Sequence, residues 1–169
     1  MKFIGTQDID LKRLYLRKFN LNDYEDVFEY ASNPSVTRYL TWNAYTNKED
    51  SLKYLKNVSS IYNEKTFRWA IVLKSNDKVI GSIDAVKIDE VNEIVEIGYV
   101  ENEKYHNNGY MSEAFKGVID YFFNKVGVKK VLARYQIENL ASRKVMDKCG
   151  LKPENKEAEK ILPLKNNKK

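Results

Sequence analysis

Three strand-like segments in succession constrain the fold of this chain more than any other feature. Apolar residues dominate residues 67–73, 79–88 and 94–100, and polar turn sequences at 75–77 and 89–92 separate them. Short turns between successive strands predict an antiparallel meander. We therefore expect a sheet that is antiparallel at its centre.

Before the meander, the pattern predicts one strand and two helices. Apolar and polar residues alternate over residues 13–19, as in a strand. Asn20 or Asn22 can cap a first helix, which Pro34 is expected to end. The sequence Thr46-Asn47-Lys48-Glu49 matches a capping box and predicts the start of the second helix.

After the meander, the pattern predicts helix, strand and helix. Gly109 opens an amphipathic helix that Gly127 closes, and residues 128–137 alternate as in a strand. Asn139 begins a last helix, with Gly150 at its end. The element order is thus β, α, α, βββ, α, β, α. The strand–helix–strand unit near the C-terminus predicts a parallel pair of strands within the sheet.

Composition excludes several classes of protein. The 169 residues include one cysteine, Cys149, and one histidine, His106, which exclude an internal disulfide and a Cys/His zinc site, so no metal is expected. No leader pattern or membrane-length apolar run is evident, which predicts a single cytoplasmic domain over residues 1–169 with no membrane partner. The net charge of +5 fits either a solvated basic surface or an anionic partner.

The segment from residue 96 to residue 114 is the most informative about binding. A strand ends there, a polar loop turns, and Gly109 leads directly into a helix. Successive backbone N–H groups and the positive end of the helix then point to one spot, which suits a phosphate. Because many strand-to-helix turns contain glycine, the pattern alone leaves phosphate binding and an ordinary turn both open.

A second group of polar residues lies at the start of the last helix. If Ala141, Val145 and Cys149 face the core, Asn139 and Ser142 lie beside that face. Their spacing fits an N-cap and a first-turn polar residue, with contact to a ligand as the alternative.

In this order and at this separation, the two segments resemble motifs of the GNAT family of N-acetyltransferases. The closest resemblance is to the branch that contains ribosomal-protein N-terminal acetyltransferases and spermidine acetyltransferase. The family loop Gln/Arg-x-x-Gly-x-Gly/Ala corresponds to His106-Asn107-Asn108-Gly109-Tyr110-Met111, followed by Ser112-Glu113-Ala114. The Asn-x-x-Ser element corresponds to Asn139-Leu140-Ala141-Ser142. Leu14–Arg17 and Tyr39-Leu40-Thr41-Trp42 also fit the branch. The resemblance as a whole covers about residues 13–152.

The resemblance implies an α/β (α+β) acyl-CoA N-acyltransferase fold, with a mostly antiparallel twisted sheet that is splayed at its centre and has helices on both faces. It implies transfer of the acetyl group of acetyl-CoA, the co-substrate, to a primary amine: a protein N-terminus, a polyamine or another small amine. It assigns cofactor contacts to Val100, Glu101, Asn102, His106, Asn107, Asn108, Gly109, Tyr110, Met111, Ser112, Asn139 and Ser142. Tyr39 and Trp42 lie where acceptor contacts occur in this branch, although core packing explains them equally well.

Three positions of the loop depart from the family pattern. His106 replaces Gln or Arg, Asn107 replaces a frequent glycine, and Met111 replaces Gly or Ala. After glycine, asparagine is among the residues that best tolerate positive φ, so binding by the loop is expected to survive if Asn107 must adopt that conformation. His106 is interpreted as a contact to the cofactor rather than as a catalytic base.

The choice of catalytic residues depends on another position at which the chain differs from the family pattern. Met146 occupies the position of the tyrosine that protonates the leaving thiolate in many relatives, so Ser142 is the candidate acid. Glu96 is the candidate base, and Asp84 is a second candidate. An ion pair between Glu96 and a lysine or arginine of a neighbouring strand is an equal alternative.

The C-terminal remainder, residues 153–169, is shorter than the two-stranded hairpin that is usual in the family. The resemblance therefore implies an acceptor side that is truncated, open, or completed by a second subunit in a homodimer. A CoA-binding protein without transferase activity is the alternative function. A basic nucleic-acid-binding domain is a further alternative, disfavoured because lysine and arginine are scattered.

Overall fold

The structure, a computed structural model, describes residues 1–134 and 138–151. Within these residues the strands are β1 (Ile9–Asp10), β2 (Leu14–Arg17), β3 (Arg68–Leu73), β4 (Lys78–Asp89), β5 (Ile94–Glu101) and β6 (Lys130–Ala133). The helices are α1 (Tyr24–Ala31), α2 (Pro34–Thr37), α3 (Lys48–Ile61), α4 (Tyr110–Tyr121) and α5 (Leu140–Lys148). All of them except β1 and α2 were predicted from the sequence. None of the described helices has the length and apolar character needed to cross a membrane.

The strands form one sheet in the order β1-β2-β3-β4-β5-β6. Neighbours are antiparallel except β5 and β6, which pair in parallel from Ile94 with Lys130 to Ile97 with Ala133. The predicted meander and parallel pair are therefore confirmed. The residues that follow β6 after Arg134, 135–137, lie outside the described residues, so the predicted splay of the sheet stays a prediction.

Helices cover both faces of the sheet, as predicted. On the face covered by α4, Trp69, Phe115 and Phe122 are almost completely buried. On the face covered by α1 and α3, Leu55 packs against Val72 and its neighbours. Because successive residues of a strand point to opposite faces, β3 contributes to both cores, with Trp69 on one side and Val72 on the other.

The starts of two helices differ from the expectation. Pro34 begins α2 rather than ending α1, which stops at Ala31, because the fixed φ of proline suits a first helical turn. The N-cap of α3 is Asn47, whose side chain accepts the Asp50 N–H at 3.2 Å. The Thr46 N–H instead donates to the Asp50 carboxylate at 3.0 Å. The helix thus begins one residue later than the capping box indicated.

The C-terminal half contains a second difference. α4 continues as one π-helical turn, Phe122–Val126, before Gly127 ends it at a φ of 87°, as predicted. On α5, Ala141 is exposed rather than in the core, and Met146 is the buried residue, at 6% exposure. Because α5 is turned relative to the predicted face, Ser142 points towards the sheet beside Met146.

Candidate active site

The loop between β5 and α4 has the geometry of an anion-binding site. Asn107 (φ 66°) and Gly109 (φ 77°) both adopt the left-handed conformation, which asparagine tolerates at the first position. In the described part of the chain, no acceptor takes a hydrogen bond from the backbone N–H of any residue from 107 to 112. These N–H groups lie at the positive end of α4, where an anion is favoured.

The side chains of the loop maintain its shape, which leaves its main chain available. The Asn108 amide donates to the carbonyl oxygens of Tyr105 and His106, each at 3.1 Å. Met111 and Ser112 are buried, at 3% and 8% exposure. We infer that these residues reach a ligand through main-chain N–H groups.

At the end of β5, Glu101 has main-chain groups that face away from β4. The Asn102 N–H donates to the Ile80 carbonyl of β4 at 2.7 Å. Because N–H groups alternate in direction along a strand, that of Val100 also points to β4 and that of Glu101 to the other side. The Asn102 side chain is 3% exposed and donates to Glu29 at 2.7 Å. This geometry favours Glu101 over Val100 and Asn102 as a main-chain donor.

The side chain of Glu101 is an unusual buried carboxyl. It is 13% exposed, and its Oε2 has no hydrogen-bond partner within the described residues. Burial raises the pKa of Glu101 to about 8. The His106 Nε2 lies 3.2 Å from the Glu101 carbonyl oxygen and 3.9 Å from its Oε1. The His106 ring therefore joins the loop to the end of β5.

The start of α5 combines a cap with a hydroxyl pair. Asn139 is the N-cap, and its Oδ1 accepts the Ser142 N–H at 3.1 Å, as the pattern indicated. The Ser142 Oγ lies 2.7 Å from the Tyr99 Oη, which is also 3.1 Å from the Ser142 carbonyl oxygen. Burial raises the pKa of Tyr99, so its hydroxyl stays protonated and can donate. Tyr99 on β5 thus holds Ser142 of α5.

Both candidate bases are ion-paired. The Glu96 Oε1 lies 3.0 Å from the Nε of Arg134, which is the alternative that the sequence left open. Burial lowers the pKa of Arg134 to about 10. Asp84 pairs with Arg68 at 3.0 Å, and burial raises its pKa. Asp84 of β4 lies opposite Gly98 of β5, so Asp84 and Glu96 of β5 project from the sheet face that α1 and α3 cover.

The two predicted acceptor residues lie in different places. The Tyr39 hydroxyl donates to the Glu138 carbonyl at 3.3 Å, which places Tyr39 beside the start of α5. Trp42 is 37% exposed, and its ring centroid is 5.2 Å from that of Tyr45. Tyr45 lines a cleft of about 690 Å³ beside α3, together with Asn43, Ala44, Asp50, Lys53, Tyr54 and Asn57. The structure thus brings Tyr39 near Ser142, and Trp42 to the edge of this cleft.

Comparison with known proteins agrees with this geometry. The model of the acetyltransferase (GNAT) domain matches residues 13–152. The chain belongs to the GNAT acetyltransferase family. Over 146 residues, this acetyltransferase is 34% identical to the uncharacterized N-acetyltransferase YnaD of Bacillus subtilis (strain 168), which covers 86% of this chain and 83% of YnaD.

Solved structures agree with the family assignment. A GNAT-family acetyltransferase from Bacillus anthracis superimposes with a TM-score of 0.78 at 32% identity, covering 88% of this acetyltransferase and 86% of that chain. The microcin C7 self-immunity acetyltransferase MccE, solved with acetyl-CoA and AMP, has a TM-score of 0.70 at 21% identity, covering 90% and 87%. The protein therefore has the GNAT fold and is an N-acetyltransferase.

Three features of this site were not found from the sequence: the hydroxyl of Tyr99, the buried carboxyl of Glu101, and Arg13 beside the loop. Alternate residues of a strand share a face, so Tyr99 and Glu101 lie on the same face of β5 as the buried Ile97. This alternation could have indicated from the sequence that both side chains are buried. Arg13 is 95 residues from the loop carbonyl that it contacts, so no local pattern reveals it.

Proposed function

We propose that this acetyltransferase moves the acetyl group of acetyl-CoA to a primary amine: a protein N-terminus, a polyamine or another small amine. The observation that carries the proposal is the row of backbone N–H groups over residues 107–112, at the start of α4, that have no acceptor among residues 1–134 and 138–151. Such a row suits the pyrophosphate of CoA. The acetyl-CoA complex of MccE supports the same co-substrate.

The proposed contacts to acetyl-CoA use polar groups that have no hydrogen-bond partner within the described residues. The N–H groups of residues 107–112 bind the pyrophosphate, and the amide nitrogen of Asn139 donates to the pantetheine arm. The Glu101 N–H, on the side away from β4, polarises the thioester carbonyl. The co-substrate supplies an activated acyl thioester, and these residues orient it.

Transfer moves two protons while the N–C bond forms and the C–S bond breaks. We assign Ser142 as the donor to the leaving thiolate, because its hydroxyl lies at the start of α5 beside Asn139, and the hydroxyl takes a proton back from solvent as the thiol forms. The Tyr99 hydroxyl, 2.7 Å away, restrains that side chain. We assign Glu96 as the group that takes the proton of the attacking amine. Protonated Glu96 then gives up its ion pair with Arg134.

The acceptor is proposed to enter from the side of α1 and α3, the sheet face from which Glu96 of β5 and Asp84 of β4 project. Tyr39 then borders it at the start of α5, and Trp42 borders it at the cleft beside α3. Aromatic rings and carboxylates are side chains that suit a cationic amine, which loses its proton only at the site.

A thermal-shift measurement followed by a thiol-release assay tests the proposal. Acetyl-CoA at about 100 times its Kd stabilises a folded protein by about 2.7 kcal/mol, which raises the Tm by about 5–10 °C for a chain of this size. Free thiol is then measured over polyamines, amino acids and N-terminal peptides. A Tm that acetyl-CoA leaves unchanged rejects the cofactor site. A raised Tm without thiol release on any amine favours the CoA-binding alternative without transferase activity.

A further inference from the structure

Arg13 immediately precedes strand β2, and it contacts the loop between β5 and α4. Its backbone N–H and its Nε each donate to the Glu113 carboxylate at 2.8 Å. Its Nη1 donates to the Asn108 carbonyl oxygen at 2.9 Å, and its guanidinium lies 4.5 Å from the ring centroid of Tyr110. Arg13 is thus fixed on three sides, and it holds one carbonyl of the loop.

Holding that carbonyl determines where the next N–H points. In a trans peptide the C=O and N–H of one unit point in opposite directions. Because the Asn108 C=O points at Arg13, the Gly109 N–H points away from it. Within residues 107–112 this N–H is among those without a partner. Arg13 therefore fixes the direction of a donor at the centre of the loop without occupying it.

The loop has no cation of its own, since residues 105–112 include neither lysine nor arginine. We propose that Arg13 is a positioning residue for the CoA phosphates, which turns the 108–109 peptide so that its N–H faces the pyrophosphate. Glu113 assists by fixing the guanidinium, because a planar fork can hold a carboxylate and a carbonyl at once. This role rests on the proposed use of acetyl-CoA.

The test compares two donors that differ in the phosphates. Acetyl-CoA contains the pyrophosphate, and acetyl-pantetheine lacks it but presents the same thioester. For Arg13→Gln, we expect the KM and Kd for acetyl-CoA to rise about 10- to 100-fold, as for loss of a charge-assisted hydrogen bond. Turnover of acetyl-pantetheine is expected to change by less than about twofold, since the thioester site is untouched.

Two further variants separate geometry from charge. Arg13→Lys keeps the charge but cannot hold Glu113 and Asn108 together, so it should resemble Arg13→Gln more than the wild type. Lys12→Gln removes a neighbouring exposed charge and should behave as the wild type. Full activity of Arg13→Lys would overturn the proposal, because charge alone would then suffice.

The acetyl-pantetheine measurement also reveals a merely structural role. If Arg13→Gln loses activity equally with both donors, Arg13 maintains the fold and does not act on the phosphates, and the proposal is wrong. If the wild type binds acetyl-CoA and Arg13→Gln binds it equally well, the role of Arg13 alone is rejected. A wild type that does not bind acetyl-CoA rejects the proposed function as well.

Discussion

Ionisation of Glu101 is expected to destabilise the folded protein as the pH rises. The carboxyl is 13% exposed, its Oε2 has no partner within the described residues, and burial raises its pKa from 4.5 to about 8. Below pH 4.5 both the folded and the unfolded state keep the proton. Between the two pKa values only the folded state keeps it, so the free energy of unfolding falls by up to about 1.4 kcal/mol per pH unit. Above a pH of about 8 the loss is complete and totals about 5 kcal/mol.

The Glu101→Gln variant removes this ionisation while keeping the shape of the side chain. The assay is urea unfolding of both proteins between about pH 5 and 9 at constant ionic strength. We expect the variant to gain stability relative to the wild type as the pH rises, with the gain complete above a pH of about 8. Glu103→Gln, at an exposed position two residues away, is the control and should follow the wild type. Parallel curves for the wild type and Glu101→Gln would refute the raised pKa.

Three further substitutions test the proposed site. Tyr99→Phe removes the hydroxyl 2.7 Å from the Ser142 Oγ, so kcat in the thiol-release assay should fall about 5- to 10-fold with an unchanged KM for acetyl-CoA. An unchanged kcat would contradict the restraint on Ser142. Gly109→Ala places a Cβ on a residue with a φ of 77°, so thermal unfolding should show a loss of about 1–2 kcal/mol, and calorimetry should show a higher Kd for CoA. Wild-type values would mean that the loop tolerates the strain. Glu96→Gln should lower kcat about 100-fold if Glu96 takes the proton of the amine. Retained turnover would mean that Glu96 is not the base and serves only in the ion pair with Arg134.

Local signals explain why much of this fold was predictable from the sequence. Alternation and turn sequences predicted the order of the strands, and the loop that leads into α4 was predictable because Gly109 and the start of α4 are adjacent in the chain. The left-handed conformation of Asn107 is one that asparagine tolerates, but the sequence alone did not require it.

Other features depend on packing between distant segments. The core face of α5 was predicted wrongly at Ala141, because burial of Met146 depends on how the helix lies on the sheet. The Tyr99–Ser142 pair joins residues 43 positions apart. Whether Glu96 meets an arginine also depended on the pairing of β5 with β6.

The contact between Arg13 and Glu113 joins residues 100 positions apart, and this distance has a kinetic consequence. The loop before α4 has all its contacts only after Arg13 and the adjoining β2 have docked against α4. Contacts between distant residues carry a large cost in loop-closure entropy. If that docking follows the rate-limiting barrier, CoA binds only molecules that have already crossed it. The ligand should then slow unfolding and leave the refolding rate unchanged, so that it protects the protein by prolonging the lifetime of the native state.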